Sequence, residues 1–163
     1  MKVAIIMGSE SDLPIVKKAV AVLKKFAVKF SLRVISAHRT PDIAADFAKT
    51  AEANGYEVII AAAGKAAHLP GVLAAYTVLP VIGIPIKAST FDGMDALLSI
   101  VQMPAGIPVA TVAVDGAENA ALLAVQIMGG KHPLLREQMR EYRAAIQQAV
   151  IDSDQRIQGE IVH

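Results

Sequence analysis

Val58-Ile59-Ile60-Ala61-Ala62-Ala63 is an unbroken apolar run closed by Gly64. A strand with one wet face alternates apolar and polar side chains. A run without alternation belongs where both faces are covered, at the centre of a parallel sheet. That placement requires helices on both sides of the sheet, and the rest of the chain supplies them. Val3 to Met7, Phe30 to Val34, Val81 to Ile84 and Pro108 to Val114 read as further short strands. Leu13 to Ala27 carries Leu13, Val16, Val20 and Leu23 at helical spacing, with Lys17, Lys18, Lys24 and Lys25 on the opposite face. Its start offers Ser11 or Asp12 as a cap and Pro14 in the first turn, where a missing N–H costs little. Further helices are expected from Thr40-Pro41 to Asn54-Gly55, from His68 to Thr77, from Met94 to Gln102 and from Ala117 to Met128. A longer charged helix runs from Leu134 to about Gln158.

Strands alternating with helices predict an α/β fold of three layers, a doubly wound parallel sheet of five strands with a C-terminal helix. The common order for five such strands is flavodoxin-like, 2-1-3-4-5. One domain is expected over residues 1–163, with a core over 1–130 and a helical extension over 131–163. In this order the switch point lies between strands one and three, and ligands bind beyond the carboxyl ends of the strands there. Three loops are thereby nominated: Gly8 to Asp12, Ser36 to Pro41 and Gly64 to Pro70.

Composition narrows the function classes. A net charge of +1 and the absence of a basic stripe with interleaved aromatics argue against nucleic-acid binding. No apolar run approaches the roughly 20 residues of a membrane span, and the opening Met1 to Met7 is too short for the core of a signal peptide. A cytoplasmic location is expected. Cysteine is absent, which removes disulfides, thiolate metal sites and cysteine nucleophiles together. No His and carboxylate set stands at zinc-ligand spacing, so no metal is expected. The apolar share is 54% without counting glycine, high for a chain with so much surface to keep wet. Some of that surface is expected to be covered by copies of the same chain.

The three loops hold much of the unusual chemistry. In Gly8-Ser9-Glu10-Ser11-Asp12, small hydroxyl side chains precede a helix whose free N–H groups suit an anion such as phosphate. Two readings of Ser11 and Asp12 stand: both cap the helix, or one caps while another binds. In Ser36-Ala37-His38-Arg39-Thr40-Pro41, His38 can exchange a proton near neutral pH and Arg39 can grip a phosphate or carboxylate with two prongs. The competing reading makes His38 a surface residue and pairs Arg39 with an acid on the next helix. In Gly64-Lys65-Ala66-Ala67-His68-Leu69-Pro70-Gly71, small residues admit a ligand close to the backbone. Lys65 meets an anion or is simply solvated; a positioning role fits His68 better than proton transfer. His132, before Pro133, and His163 are assigned no function.

Met7-Gly8-Ser9-Glu10-Ser11-Asp12, Ser36-Ala37-His38-Arg39-Thr40-Pro41, Ala66-Ala67-His68-Leu69-Pro70-Gly71 and Ser99-Ile100-Val101-Gln102-Met103-Pro104 occur in that order. Together they resemble the bacterial N5-carboxyaminoimidazole ribonucleotide mutases of purine biosynthesis, over about residues 3 to 128. The resemblance implies an isomerase that needs no cofactor and moves a carboxylate from an exocyclic nitrogen to a ring carbon. It implies that Ser9, Ser11 and Asp12 hold the nucleotide, that Arg39 binds its phosphate and that His38 transfers the proton. Ser36, Ala37, Gly64, Lys65, His68 and Leu69 complete the implied substrate site, with Ala37, Gly64 and Leu69 as neutral walls around released CO2. It implies a homo-octamer with sites near subunit boundaries, and the helix Leu69 to Thr77 is the candidate inter-subunit element. The chain departs from the family pattern at Ala62 and Lys65, where glycine is usual; Lys65 adds a charge beside the proposed CO2 pocket.

A sister group of carboxylases joins free CO2 to aminoimidazole ribonucleotide on the same fold. It carries Lys at the position of Arg39 and lacks the Ala-Ala-His-Leu-Pro-Gly loop, so Arg39 and His68 favour the mutase. A phospho-receiver module needs an Asp at the end of strand three, where this chain has Ala61-Ala62-Ala63. A flavin-binding module would be yellow.

Overall fold

The structure, a computed structural model, describes residues 1–161; His163 lies outside the described residues. Its strands are β1 (Lys2–Met7), β2 (Lys29–Val34), β3 (Val58–Gly64), β4 (Val81–Ile86) and β5 (Ala110–Thr111). Its α-helices are α1 (Leu13–Lys25), α2 (Pro41–Thr50), α3 (Leu69–Ala74), α4 (Met94–Val101), α5 (Ala117–Gly129) and α6 (Pro133–Ile161). The sheet is parallel throughout, in the expected order β2-β1-β3-β4-β5.

The apolar run Val58 to Ala63 is the central strand, β3. Val58 to Ala62 are wholly inaccessible to solvent. Successive side chains of a strand point to opposite faces. Val58, Ile60 and Ala62 therefore enter the core shared with α1, α5 and α6. Ile59, Ala61 and Ala63 enter the other, shared with α2, α3 and α4. Cutting Ile60 back to alanine would cost about 2–5 kcal/mol, because both transfer energy and packing are lost. Gly83, in the middle of β4, lets α4 lie close to the sheet: a β-carbon there would collide with Ile100.

Several boundaries differ from expectation, for physical reasons. The fifth strand has two paired residues instead of seven, because Pro108 has no N–H to donate and the chain beyond Thr111 touches β4 only through single bonds. Val112 N–H donates to Gly83 O (3.2 Å) and Asp115 N–H to Pro85 O (2.9 Å). Asp12 stands at the N-cap position of α1, but its side chain makes no capping hydrogen bond. A single 3-10 turn, Glu10–Asp12, precedes the helix and is capped by Ser9, whose hydroxyl accepts from Ser11 N–H at 3.4 Å. The α3 helix is shorter than expected, and part of its apolar character is used inside the chain: Pro70 is buried, and Leu69, Leu73 and Ala74 are buried in the second core. Large apolar side chains left exposed include Tyr76 and Val78 just past α3, Met94, Leu98 and Val101 on α4, and Ile146, Val150 and Ile157 on α6. No helix among the described residues is long and apolar enough to cross a membrane.

His132 has a structural part that the sequence did not suggest. Its Nε2 lies 2.7 Å from Glu57 Oε2, and the α-amino group of Met1 lies 3.1 Å from Glu57 Oε1. The cluster ties the α5–α6 corner to the amino ends of β1 and β3.

Candidate active site

Beyond the carboxyl ends of β1, β3 and β4 lies a cavity of about 470 Å3, within the range that holds a nucleotide-sized ligand. Three of its walls come from the nominated loops. Gly8, Ser9, Ser11 and Asp12 form the first; Ser36, His38 and Arg39 the second; Gly64, Lys65 and Leu69 the third, with Ala63 and Ala66 beside them.

The loop after β1 is a chain of hydroxyls ending on a carboxylate. Ser11 Oγ donates to Ser9 Oγ at 3.0 Å and to Asp12 Oδ1 at 3.2 Å. Asp12 is the one buried charged side chain among the described residues. Burial pushes its carboxyl above the ordinary value of 3.8, against the hydrogen bonds from Ser11 and the Ser9 backbone and the charge of Arg39; Asp115 pushes it further up. An acid held like this is a cost to the fold, which makes it a candidate functional group rather than a structural one.

The loop after β2 braces itself. Thr40 Oγ1 donates to Ser36 O (2.9 Å) and accepts from Ser36 N–H (3.0 Å), so the turn closes on its own side chain. Ser36 Oγ accepts from Arg39 N–H (3.1 Å) and from Arg39 Nε (3.3 Å). Arg39 Nη2 donates to Gly8 O at 2.7 Å, which ties the second loop to the first. A guanidinium fixed by the Ser36 hydroxyl and the Gly8 carbonyl has the chemistry to receive an oxyanion. No acid on α2 takes Arg39 as an ion-pair partner among the described residues, so the competing reading of that residue falls.

His38 and His68 meet across the second and third loops. His38 Nε2 and His68 Nδ1 are 2.8 Å apart and the rings stand nearly edge to face, at 84°. A contact this short needs one proton between two ring nitrogens. Two fully protonated rings would set N–H against N–H, so at least one ring is neutral while the contact stands. The contact couples the two rings at the edge of the cavity.

Ala37 stands behind the wall, packed against the second core. His68 reaches the site through His38 rather than as part of the cavity lining. A fourth wall was missed: Ile86, Lys87 and Ala88, just past β4. Lys87 Nζ pairs with Asp92 at 3.0 Å, and Lys87 N–H donates to Asp115 Oδ1 at 3.0 Å. The signal lay in the strand order, since β4 flanks β3 and Gly64 registers against Ile86. Gly64 itself is required by that closeness: a β-carbon would stand 3.2 Å from Ile86 O.

A sequence model described as AIR carboxylase matches residues 2–149, a span that takes in every strand and every wall of the cavity. The chain belongs to the AIR carboxylase family. Among its relatives, the N5-carboxyaminoimidazole ribonucleotide mutase of Pyrococcus abyssi is 61% identical over 142 residues, covering 87% of this chain and 82% of that protein. The protein of the same name from Thermotoga maritima is 51% identical over 157 residues, covering 96% of this chain and 92% of that one. The crystal structure of Treponema denticola PurE superposes with a TM-score of 0.87 at 30% identity, covering 95% of this chain and 97% of that one. Within the AIR carboxylase fold, then, the cavity occupies the switch point between β1 and β3, and all four of its walls lie inside the family match.

Proposed function

We propose that this protein is an isomerase that converts N5-carboxyaminoimidazole ribonucleotide to 4-carboxy-5-aminoimidazole ribonucleotide in purine nucleotide synthesis. The observation that carries the reading is His38, backed by His68, beside Arg39 on the wall of one cavity, in a chain whose relatives bear the mutase name. Such a reaction needs an anchor for phosphate, a dry place for a one-carbon fragment and one group that both gives and takes a proton.

Arg39, with Ser9 and Ser11, holds the phosphate, and Asp12 and Ser36 order the hydroxyl groups around it. His38 protonates the exocyclic nitrogen as the N–C bond breaks and CO2 leaves. Gly64 and Leu69 keep water from the CO2, with Ala37 packed behind them. The ring carbon then attacks it, and His38 removes the proton from that carbon, which restores the starting protonation state. Atoms and charge balance without ATP, because one C–N bond is exchanged for one C–C bond. One residue serves as acid and base because the second step reverses the proton movement of the first. His68 orients His38 and shares its proton; Lys65 belongs to the same substrate shell. Confinement of the CO2 is what turns a decarboxylation into a transfer.

The protein works as a homo-oligomer, octameric by its resemblance, in the cytoplasm. The exposed apolar side chains of α4 and α6 support the association. The assay follows formation of 4-carboxy-5-aminoimidazole ribonucleotide without added ATP or bicarbonate. Rapid product from the N-carboxylated substrate is expected. Equal rates from aminoimidazole ribonucleotide with high bicarbonate would assign the chain to the carboxylase reaction instead.

A further inference from the structure

Three cations border the cavity, and they are held very differently. Arg39 is fixed by Gly8 and Ser36, and Lys87 is paired with Asp92. Lys65 has neither an ion pair nor a side-chain hydrogen bond among the described residues, and its side chain is exposed at the rim. Its backbone is also out of the ordinary. With φ at +56°, Lys65 sits in the left-handed region, which L residues adopt at a cost and glycine adopts freely. The neighbouring glycine does not relieve this, because Gly64 is needed for its close approach to Ile86 O. The fold thus bears local strain to keep a charged side chain at the position where glycine would be easiest. Strain kept at a cavity wall points to a use for that side chain.

The place of Lys65 says what the use is. Arg39, Ser9 and Ser11 lie on the walls after β1 and β2. Lys65 lies on the loop after β3, the loop that also carries His68, partner of the proton-transferring histidine. We propose that Lys65 is a specificity-determining residue whose ammonium pairs with the carboxylate being moved, so that the site prefers the carboxylated nucleotide to its decarboxylated counterpart. This rests on the functional reading above and adds to it which anion the third loop recognises. Free aminoimidazole ribonucleotide keeps the phosphate contact and lacks the second one. It is therefore the weaker ligand.

The experiment compares equilibrium dissociation constants of the intact protein for 4-carboxy-5-aminoimidazole ribonucleotide and for aminoimidazole ribonucleotide. Lys65→Met keeps a side chain of similar length and removes the charge. Lys65→Gly removes both charge and strain; Lys65→Arg keeps the charge. The preference for the carboxylated ligand is expected to shrink roughly fivefold in Lys65→Met and Lys65→Gly, as for a partly solvated ion pair, and to persist in Lys65→Arg. Lys65→Gly is also expected to melt at a higher temperature than the parent, so lost discrimination cannot be put down to damage. A wild-type preference in both Lys65→Met and Lys65→Gly overturns the proposal. Turnover of the N-carboxylated substrate by the unsubstituted protein tests the functional reading separately: a protein that discriminates between the two ligands yet does not interconvert the isomers would sink the reaction and leave the role of Lys65 standing.

Discussion

Asp12 and Glu57 are acids at opposite edges of the same sheet, and their surroundings push them in opposite directions. Asp12 follows the carboxyl end of β1, and burial raises its carboxyl above the ordinary value. Glu57 precedes the amino end of β3. Burial would raise it too, but hydrogen bonds from His132 and the α-amino group, with their charges, hold it below its ordinary value of 4.5. One edge of the sheet keeps its charge poorly satisfied; the other surrounds its charge with partners. The cavity edge also holds two histidines whose rings meet at 2.8 Å. A fold has reason to satisfy its polar groups wherever nothing else must use them. The contrast thus separates a binding edge from a bracing edge, and substitutions at the two should move different observables.

The largest effect is expected from His38→Asn. Turnover should fall about a thousandfold, the scale of general acid–base catalysis, with nucleotide affinity and melting temperature close to the parent. Steady-state kinetics with a thermal melt checks both, and loss of fold together with activity would make His38 a bracing residue after all. Next, Arg39→Ala should weaken nucleotide binding by about 2 kcal/mol, roughly thirtyfold, as expected for a lost charge-assisted contact. An analogue without the phosphate should bind the two proteins nearly equally. A phosphate preference that survives the substitution would move the phosphate away from Arg39.

Asp12→Asn sharpens the comparison from the binding edge. An acid with a raised folded value stabilises the fold only while protonated. That contribution is full below 3.8 and is lost as pH rises through the raised value. The variant should therefore gain stability relative to the parent as pH rises from acid to neutral, while nucleotide affinity falls about tenfold. Denaturant midpoints across pH read the first effect; a stability difference that does not move in the variant's favour from acid to neutral pH would contradict it.

Glu57→Gln tests the bracing edge and should be the smallest change, a loss of about 1 kcal/mol at neutral pH. Here the sign reverses. A depressed carboxylate stabilises the fold above its ordinary value, and the contribution fades as pH falls through the lower folded value. Parent and variant should converge in stability below 4.5, with turnover unchanged throughout. Reduced turnover in the variant would show that the two edges are coupled.

Much of this was legible in the chain itself. The unalternating run Val58 to Ala63 identified the central strand, Gly8 and Gly64 marked strand ends, and Pro14 and Pro41 marked helix starts. The common strand order then brought the first three loops to one edge. Most of what failed had a common cause. The two-residue β5, the wall from Ile86 to Ala88 and the His132–Glu57 tie each depend on what comes alongside a residue from elsewhere, and chain neighbours do not report that. The cap at Ser9 is different: its partner Ser11 is two residues away, and the turn it starts is one of several local alternatives open to the same serines.

The amino-acid order by itself determined the element types and the chemistry on offer: a buried parallel strand from its lack of polar positions, and loops rich in serine, histidine and arginine after the early strands. Both follow from interactions within a few residues along the chain, where side-chain period and turn chemistry act. Only the tertiary structure decided that His38 would meet His68, that Arg39 would reach Gly8 and that Glu57 would answer His132. These partners lie 30, 31 and 75 residues apart in the chain. Sheet register and helix packing brought them within hydrogen-bonding distance, and no local preference could have done so.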